Sequence, residues 1–280
     1  VRKQTDVGVD VVSDGEQSKI SYATYIKHRL NGFDGDSPRR TPKDLEEYPA
    51  FSKRASSSGG VPTYSRPQCV GPISVKDLKP LEVDLQNFKD ALSASESTDA
   101  FMNAASPGVI AQFQPNQHYP DHSSYLYALA DAMKVEYEGI AEAGLVIQID
   151  SPDLALGRHV LFKDQSDEEF VTMAELHIEA LNHALQNIPA EQLRLHVCWG
   201  NYQGPHHCDI EMKKILPAVL KAKPMALSFE GANPRHSHEW SVFRDAKIPE
   251  NKILIPAVLD SVSDTQIRPH ETYPHSVWTL

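Results

Sequence analysis

Leu145-Val146-Ile147-Gln148-Ile149-Asp150 is a short, nearly unbroken apolar run that ends in a carboxylate. Its apolar run is too nearly continuous for a strand with a solvent face, and such strands are typical of parallel sheets covered on both sides. A helix of regular period leads into it. Over residues 123–143, Leu126, Leu129, Ala130, Met133, Tyr137, Ile140 and Ala141 recur at helical spacing. Side chains between Asp121 and Ser124 can cap its start, and Gly144 stops it. The strand runs out into Asp150-Ser151-Pro152-Asp153, which places acidic groups at its carboxyl end. A second helix is predicted over 167–187 from Phe170, Met173, Leu176, Ile178, Leu181 and Leu185, and Pro189 ends it.

Working outward, the same alternation continues. A strand over 193–198 enters Leu195-His196-Val197-Cys198-Trp199-Gly200-Asn201-Tyr202, then a Gly-Pro loop reaches His206-His207-Cys208. Residues 210–221 read as a helix, and 225–229 as a strand ending in Glu230-Gly231-Ala232-Asn233. A short helix over 238–245 precedes a last strand over 253–259, which ends at Asp260. Toward the amino terminus, residues 1–7 read as helix, Gly8 as its stop, and Val9 to Val12 as a strand leading to Ser13-Asp14-Gly15-Glu16. Residues 18–30 are predicted helical, and 31–72 form a long polar excursion with little regular structure. Loops of that length in a compact domain are usually functional or disordered. Residues 81–105 are predicted to hold one or two helices, Ser106-Pro107-Gly108 a turn, and Val109 to Phe113 a short strand.

Strand and helix alternating at this rhythm, with polar groups at each strand's end, predict a parallel α/β fold. About six strands are counted where a closed (β/α)₈ barrel requires eight. The expected domain is therefore an incomplete barrel over residues 1–264, with the excursion at 31–72 and an irregular tail over 265–280. The chain starts at Val1 in mid-element and is expected to be a fragment, with elements beyond both ends or a partner covering the gap.

Composition narrows the partners. Asp and Glu number 38 against 27 Lys and Arg, a net charge of −11. That balance argues against nucleic acid and anionic membrane surfaces. No apolar run approaches the roughly 18–20 residues that span a bilayer. Cys69, Cys198 and Cys208 are too few for a disulfide framework in 280 residues, which points to a reducing, cytoplasmic setting.

The strand ends carry the chemistry. Glu16, Asp150, His196 with Cys198, Glu230 and Asp260 would converge on one mouth of a barrel. Two residues apart on a strand, His196 and Cys198 share a face. With Glu230 they supply nitrogen, sulfur and oxygen donors, a zinc-type set that leaves one position for an exchangeable ligand. If that ligand is a substrate thiol, zinc makes it a thiolate at neutral pH. Glu16 and Asp150 are then available to hold a substrate ammonium group, and His206 to meet an anionic one. Cys208 could reach back toward the pair, but nothing requires it. For His236, His238 and Glu239, polar contacts in a substrate loop or the structure outweigh a second metal site.

These stretches resemble the cobalamin-independent methionine synthase (MetE-like) family, in particular its short, single-barrel members. The likeness is carried by Val9 to Glu16, Ser106-Pro107-Gly108, Gln148 to Ala155, His196 to Tyr202, and Phe229 to His236, in family order. It implies a TIM barrel of the UROD/MetE-like type with zinc at His196, Cys198 and Glu230. It also implies substrate contacts at Glu16 and Asp150, with Asp150 in the catalytic machinery. The implied reaction is transfer of a methyl or alkyl group to a substrate thiol. The family example is 5-methyltetrahydropteroyltriglutamate–homocysteine S-methyltransferase of methionine biosynthesis. The family's last zinc ligand, a cysteine after the final barrel strand, has no counterpart here, nor does its opening Gly-Ser and Arg-Pro strand. Asp260-Ser261-Val262-Ser263 lacks the histidine that serves as proton donor in full-length methionine synthases. Two other readings keep the same residues: thiol opening of an epoxide, as in epoxyalkane–coenzyme M transferases, and an inactive truncated member. The thiol acceptor, the alkyl donor and the oligomeric state are not legible.

Overall fold

The chain opens on α1 (Arg2–Asp6), which ends ahead of Gly8 at φ +87°, and enters β1 (Val11–Ser13). A 3₁₀ turn over Thr24–His28 leads to β2 (Leu30–Asp34), then α2 (Lys43–Glu46), α3 (Pro49–Ser57) and β3 (Gln68–Val75). Next come α4 (Lys79–Ser93), β4 (Asp99–Ala105), α5 (Pro107–Phe113), α6 (His122–Glu142) and β5 (Val146–Asp150). The remainder is α7 (Gly157–Val160), α8 (Asp167–Ala184), β6 (Leu193–Val197), α9 (Met212–Val219), β7 (Ala226–Glu230), α10 (Trp240–Asp245) and β8 (Ile253–Ala257). This computed structural model describes residues 1–38, 40–57, 66–200 and 204–258. Asp260 and the 265–280 tail lie outside the described residues.

Six strands pair in the order β1-β4-β5-β6-β7-β8, every pair parallel. Crossover helices pack on the outer face. Ile147 and Ile149 of β5, Leu195 and Val197 of β6, and Leu227 and Phe229 of β7 are buried there, with Leu126, Leu129, Met133 and Tyr137 of α6 and Phe170, Ile178 and Leu181 of α8 in the same core. The inner face is polar and partly open: Asn103, Gln148, Arg194, His196 and Ser228 alternate with those core positions. The result is a curled parallel half-barrel, as the alternating pattern predicts.

Local chemistry fixes the helix starts. Ser166 and Glu169 form a reciprocal capping box at α8. The Asp121 side chain accepts the Ser124 N–H at 2.7 Å at α6, and Ser106 Oγ accepts the Val109 N–H at 3.0 Å at α5.

Four expectations are corrected. Val109 to Phe113 is helix, not strand: Ser106 caps the segment, Pro107 sits in its first turn, and burial of the helix through Gln112 erases the apolar period. Residues 99–105 form strand β4, not helix. Its Ala-rich composition reads as helical, yet Ala100, Met102 and Ala104 are buried in strict alternation with Asp99, Phe101 and Asn103. Helix over 18–30 reduces to the 3₁₀ turn at Thr24–His28. The 31–72 excursion is more ordered than its composition implies, since β2 and β3 pair antiparallel and α2 lies between them.

Candidate functional site

Parallel register places the candidate residues at one end of the sheet. Asp150 lies directly opposite Ala105 on β4 and His196 on β6, and Glu230 lies opposite Ala257 on β8. Asp150 and His196 meet: Nδ1 of the imidazole donates to Asp150 Oδ1 at 3.0 Å. Asp150 also accepts from Gln148 Nε2 on Oδ1 at 2.8 Å and from Asn103 Nδ2 on Oδ2 at 2.8 Å. Burial pushes its carboxyl up, but the hydrogen bonds from His196, Asn103 and Gln148 outweigh it and hold Asp150 below the usual carboxylate range. A carboxylate has about four acceptor sites, so one of Asp150's remains. The Nδ1 bond turns Nε2 of His196 away from Asp150.

Cys198 follows β6 directly. Burial pushes its thiol up to about 12, and the charges of Glu230, Asp150 and Asp153 add to the rise. Burial likewise raises Glu230, which His236 and Arg235 offset only in part. Glu230 Oε2 is buried and has no hydrogen-bond partner. An orphaned carboxylate oxygen near a thiol ringed by negative charge fits a bound cation. An imidazole whose second nitrogen donates to a carboxylate is the usual support of a metal ligand. The donor types present, an imidazole nitrogen, a thiol sulfur and a carboxylate oxygen, are ones that zinc takes. The side chains of His196, Cys198 and Glu230 nevertheless stand apart: among the described residues, the groups with ligand atoms all within 4.8 Å are Asp44/His207/Cys208 and Asp44/His159/Asp209.

Glu16 sits at φ +55° beyond β1, the one non-glycine residue with positive φ among those described, directly after Gly15 at φ +64°. A side chain held in this left-handed region marks strain of the kind found at functional sites. Burial raises its carboxyl, opposed by Lys19 and reinforced by Asp150. Lys19 Nζ is 3.6 Å from Glu16 Oε1 and donates to the Asn103 carbonyl at 2.5 Å, so the end of β1 is tied to β4 beside Asp150.

His206 faces inward, with only 2% of its side chain exposed, and its Nδ1 is 2.9 Å from Asp209 Oδ2. His236 Nε2 reaches the same oxygen at 2.8 Å and its Nδ1 reaches Glu239 Oε2 at 3.0 Å. Burial works against protonation of His236, but these carboxylates outweigh it and raise it to about 9. Its ring stacks on Trp199 at 3.9 Å between centroids. His236 and Glu239 thus pair with each other in the structure. Cys208 turns away from Cys198 toward Asp44, which accepts its backbone N–H at 2.7 Å. Asp44 and His159 were not visible as site residues in the sequence, because each lies in a short helix whose packing only the fold reveals.

The chain is thus a parallel α/β half-barrel whose acid–imidazole pair sits at the carboxyl ends of its strands. Comparison with known proteins points to a particular kind. A protein of Saccharolobus solfataricus named methionine synthase is 28% identical over 225 residues, covering 79% of this chain and 57% of that protein. One of Sulfurisphaera tokodaii with the same name is 28% identical over 196 residues, covering 70% of this chain and 48% of that protein. The B12-independent methionine synthase of Shewanella sp. W3-18-1, solved in complex with selenomethionine, superposes with a TM-score of 0.66 at 20% identity over 96% of this chain and 70% of that one. No protein-family profile matches. The resemblance read from the motifs is thereby borne out: the chain is homologous to proteins named methionine synthase. It spans a little over half the length of the first of them (57%).

Proposed function

We propose that this chain carries the thiol-activating half of a cobalamin-independent methionine synthase, which transfers a methyl group to the sulfur of homocysteine. The supporting observation is the Asp150–His196 pair at 3.0 Å beside Cys198 and the unpartnered Glu230 Oε2. In this reading His196 Nε2, Cys198 Sγ and Glu230 Oε2 would hold zinc. Bound there, zinc supplies Lewis acidity that favours the thiolate form of a substrate thiol.

The chain's own groups do the rest. Asp150 fixes the imidazole tautomer so that Nε2 carries a lone pair toward the mouth. Its remaining acceptor site, with Glu16, receives the substrate ammonium group and sets the sulfur's position. Lys19, 3.6 Å from Glu16, opposes the burial that raises its carboxyl. Gln148 and Asn103 hold Asp150 against rotation. In the transfer the methyl group bonds to sulfur as its bond to the donor breaks, and the donor takes a proton. His206, placed within the Asp209 cluster, orients the loop after β6 and reaches an anionic substrate group only if that loop turns it outward. The fold holds no helix among the described residues that is long and apolar enough to cross a membrane, and small-molecule substrates at the sheet's open end are the partners this reading names.

The test is zinc content by mass spectrometry with a methyl-transfer assay on homocysteine and a methyl-folate. Wild type should retain zinc that Cys198→Ser loses, and turnover should fall with it. Equal zinc and equal turnover in both proteins would overturn the reading.

A further inference from the structure

Arg194 lies on β6 two residues before His196, so the two side chains share the inner face of the sheet. In the register it stands opposite Gln148 of β5 and Ala226 of β7. The side chain is half-buried, and its Cζ lies 3.9 Å from the centroid of the Phe101 ring on β4. Its Nε is buried with no hydrogen-bond partner, and among the described residues Arg194 forms no ion pair. Other arginines withdrawn from water differ. Arg29 pairs with Asp84 and Glu136, and Arg158 pairs with Asp167 at 2.7 Å.

The contrast calls for a reason, because carboxylates are not scarce: 38 acidic residues face 27 basic ones. A guanidinium carries five N–H donors in a fixed fork and no acceptor. Taking it partly out of water without a counter-ion is costly. Burial lowers its pKa, and Asp150 is the charge that opposes the loss. Asp150, however, is already held by His196, Gln148 and Asn103. The Phe101 ring positions the guanidinium but gives its fork no carboxylate. A half-buried arginine set in place by an aromatic ring, with its fork uncommitted, is built to take a carboxylate in bidentate fashion.

We propose that Arg194 receives the carboxylate of the amino-acid thiol and makes the site specific for an α-amino acid. This rests on the proposed function and extends it. With the sulfur at the level of His196 and the ammonium group at Asp150 and Glu16, the carboxylate is the substrate's remaining charge. Two residues along a strand span roughly 6–7 Å, so Arg194 springs from one layer below His196. Three carbons separate the sulfur of homocysteine from its carboxylate group, enough to point the one toward the strand ends and the other toward the floor. Gln148 and Asn103 are committed to Asp150, which leaves Arg194 as the inner-face cation open to this carboxylate.

Isothermal titration with homocysteine and with 3-aminopropanethiol, its decarboxylated counterpart, tests the assignment. Wild type should bind homocysteine about 10–100-fold more tightly, the worth of a hydrogen-bonded charge pair. Arg194→Gln should bind both thiols alike, and Arg194→Lys should recover part of the preference. Equal affinity of wild type for the two thiols, binding of neither, or a preference that survives in R194Q would each overturn the proposal. The wild-type comparison does not depend on whether R194Q folds. A homocysteine preference lost in R194Q, in a protein that transfers no methyl group, would support this role of Arg194 while overturning the transfer reaction.

Discussion

Asp150 works as a fixed point because its neighbours leave it little choice: three donors hold two oxygens. Asp150→Asn keeps the volume but removes the charge and sets an amide NH₂ against the Asn103 donor, so the support of His196 is weakened. Zinc affinity, measured by chelator competition, should fall about 10–100-fold; an unchanged affinity would remove Asp150 from that role. Away from the strand ends, His122 sets part of the acid response. Burial and the neighbouring His177, 2.8 Å away, lower it from 6.5 to about 4. A histidine held neutral contributes stability that is present above pH 6.5 and lost as pH falls toward 4. The loss is on the order of 2–3 kcal/mol. His122→Gln should therefore flatten the decline of unfolding free energy over that window in urea titrations. The donor types of the candidate residues His196, Cys198 and Glu230 were legible because a strand's period of two and strand-end position are sequence properties. The Asp44–His159–Asp209 cluster was not, since its members are 115 and 50 residues apart along the chain (159 − 44 and 209 − 159) and no local pattern links them.

Among the elements, α5 shows how a buried helix escapes periodicity. Ser106 caps it and also donates to Asp153 Oδ1 at 2.7 Å, while Asp153 Oδ2 is 2.8 Å from His177 Nδ1. Gly108 passes directly against that pair, and a Cβ there would collide with Asp153 Oδ2 and His177 Nδ1. Gly108→Ala should cost about 1–3 kcal/mol, the usual range for overpacking, seen as a lower urea midpoint at unchanged m. A midpoint equal to wild type would show that the network yields. Elements with one buried face and a clear cap, such as α6 and α8, could be read from sequence to within a few residues. Those buried all round, like α5, or built from alanines, like β4, could not, because burial on every side removes the contrast on which periodicity depends. The strand count came out at six although one of the six was assigned to the wrong segment.

Among the described residues the six-stranded sheet does not close on itself. Among the described residues β1 and β8 each pair on one side only, and Val11, Ile253 and Val258 are 40%, 52% and 62% exposed. Unpaired apolar edges recruit other strands. Sedimentation velocity should show concentration-dependent self-association, and Ile253→Lys should reduce it; association unaffected by the charge would place the contact elsewhere. In the proposed reading the carboxyl ends of this half-barrel form a cation site at which a substrate thiol is activated, and cobalt substitution probes that site. Cobalt(II)-loaded wild type should show a thiolate charge-transfer band that is absent in Cys198→Ser and grows when homocysteine adds a second sulfur. A spectrum without that band in wild type, or one indifferent both to Cys198→Ser and to homocysteine, would contradict the account.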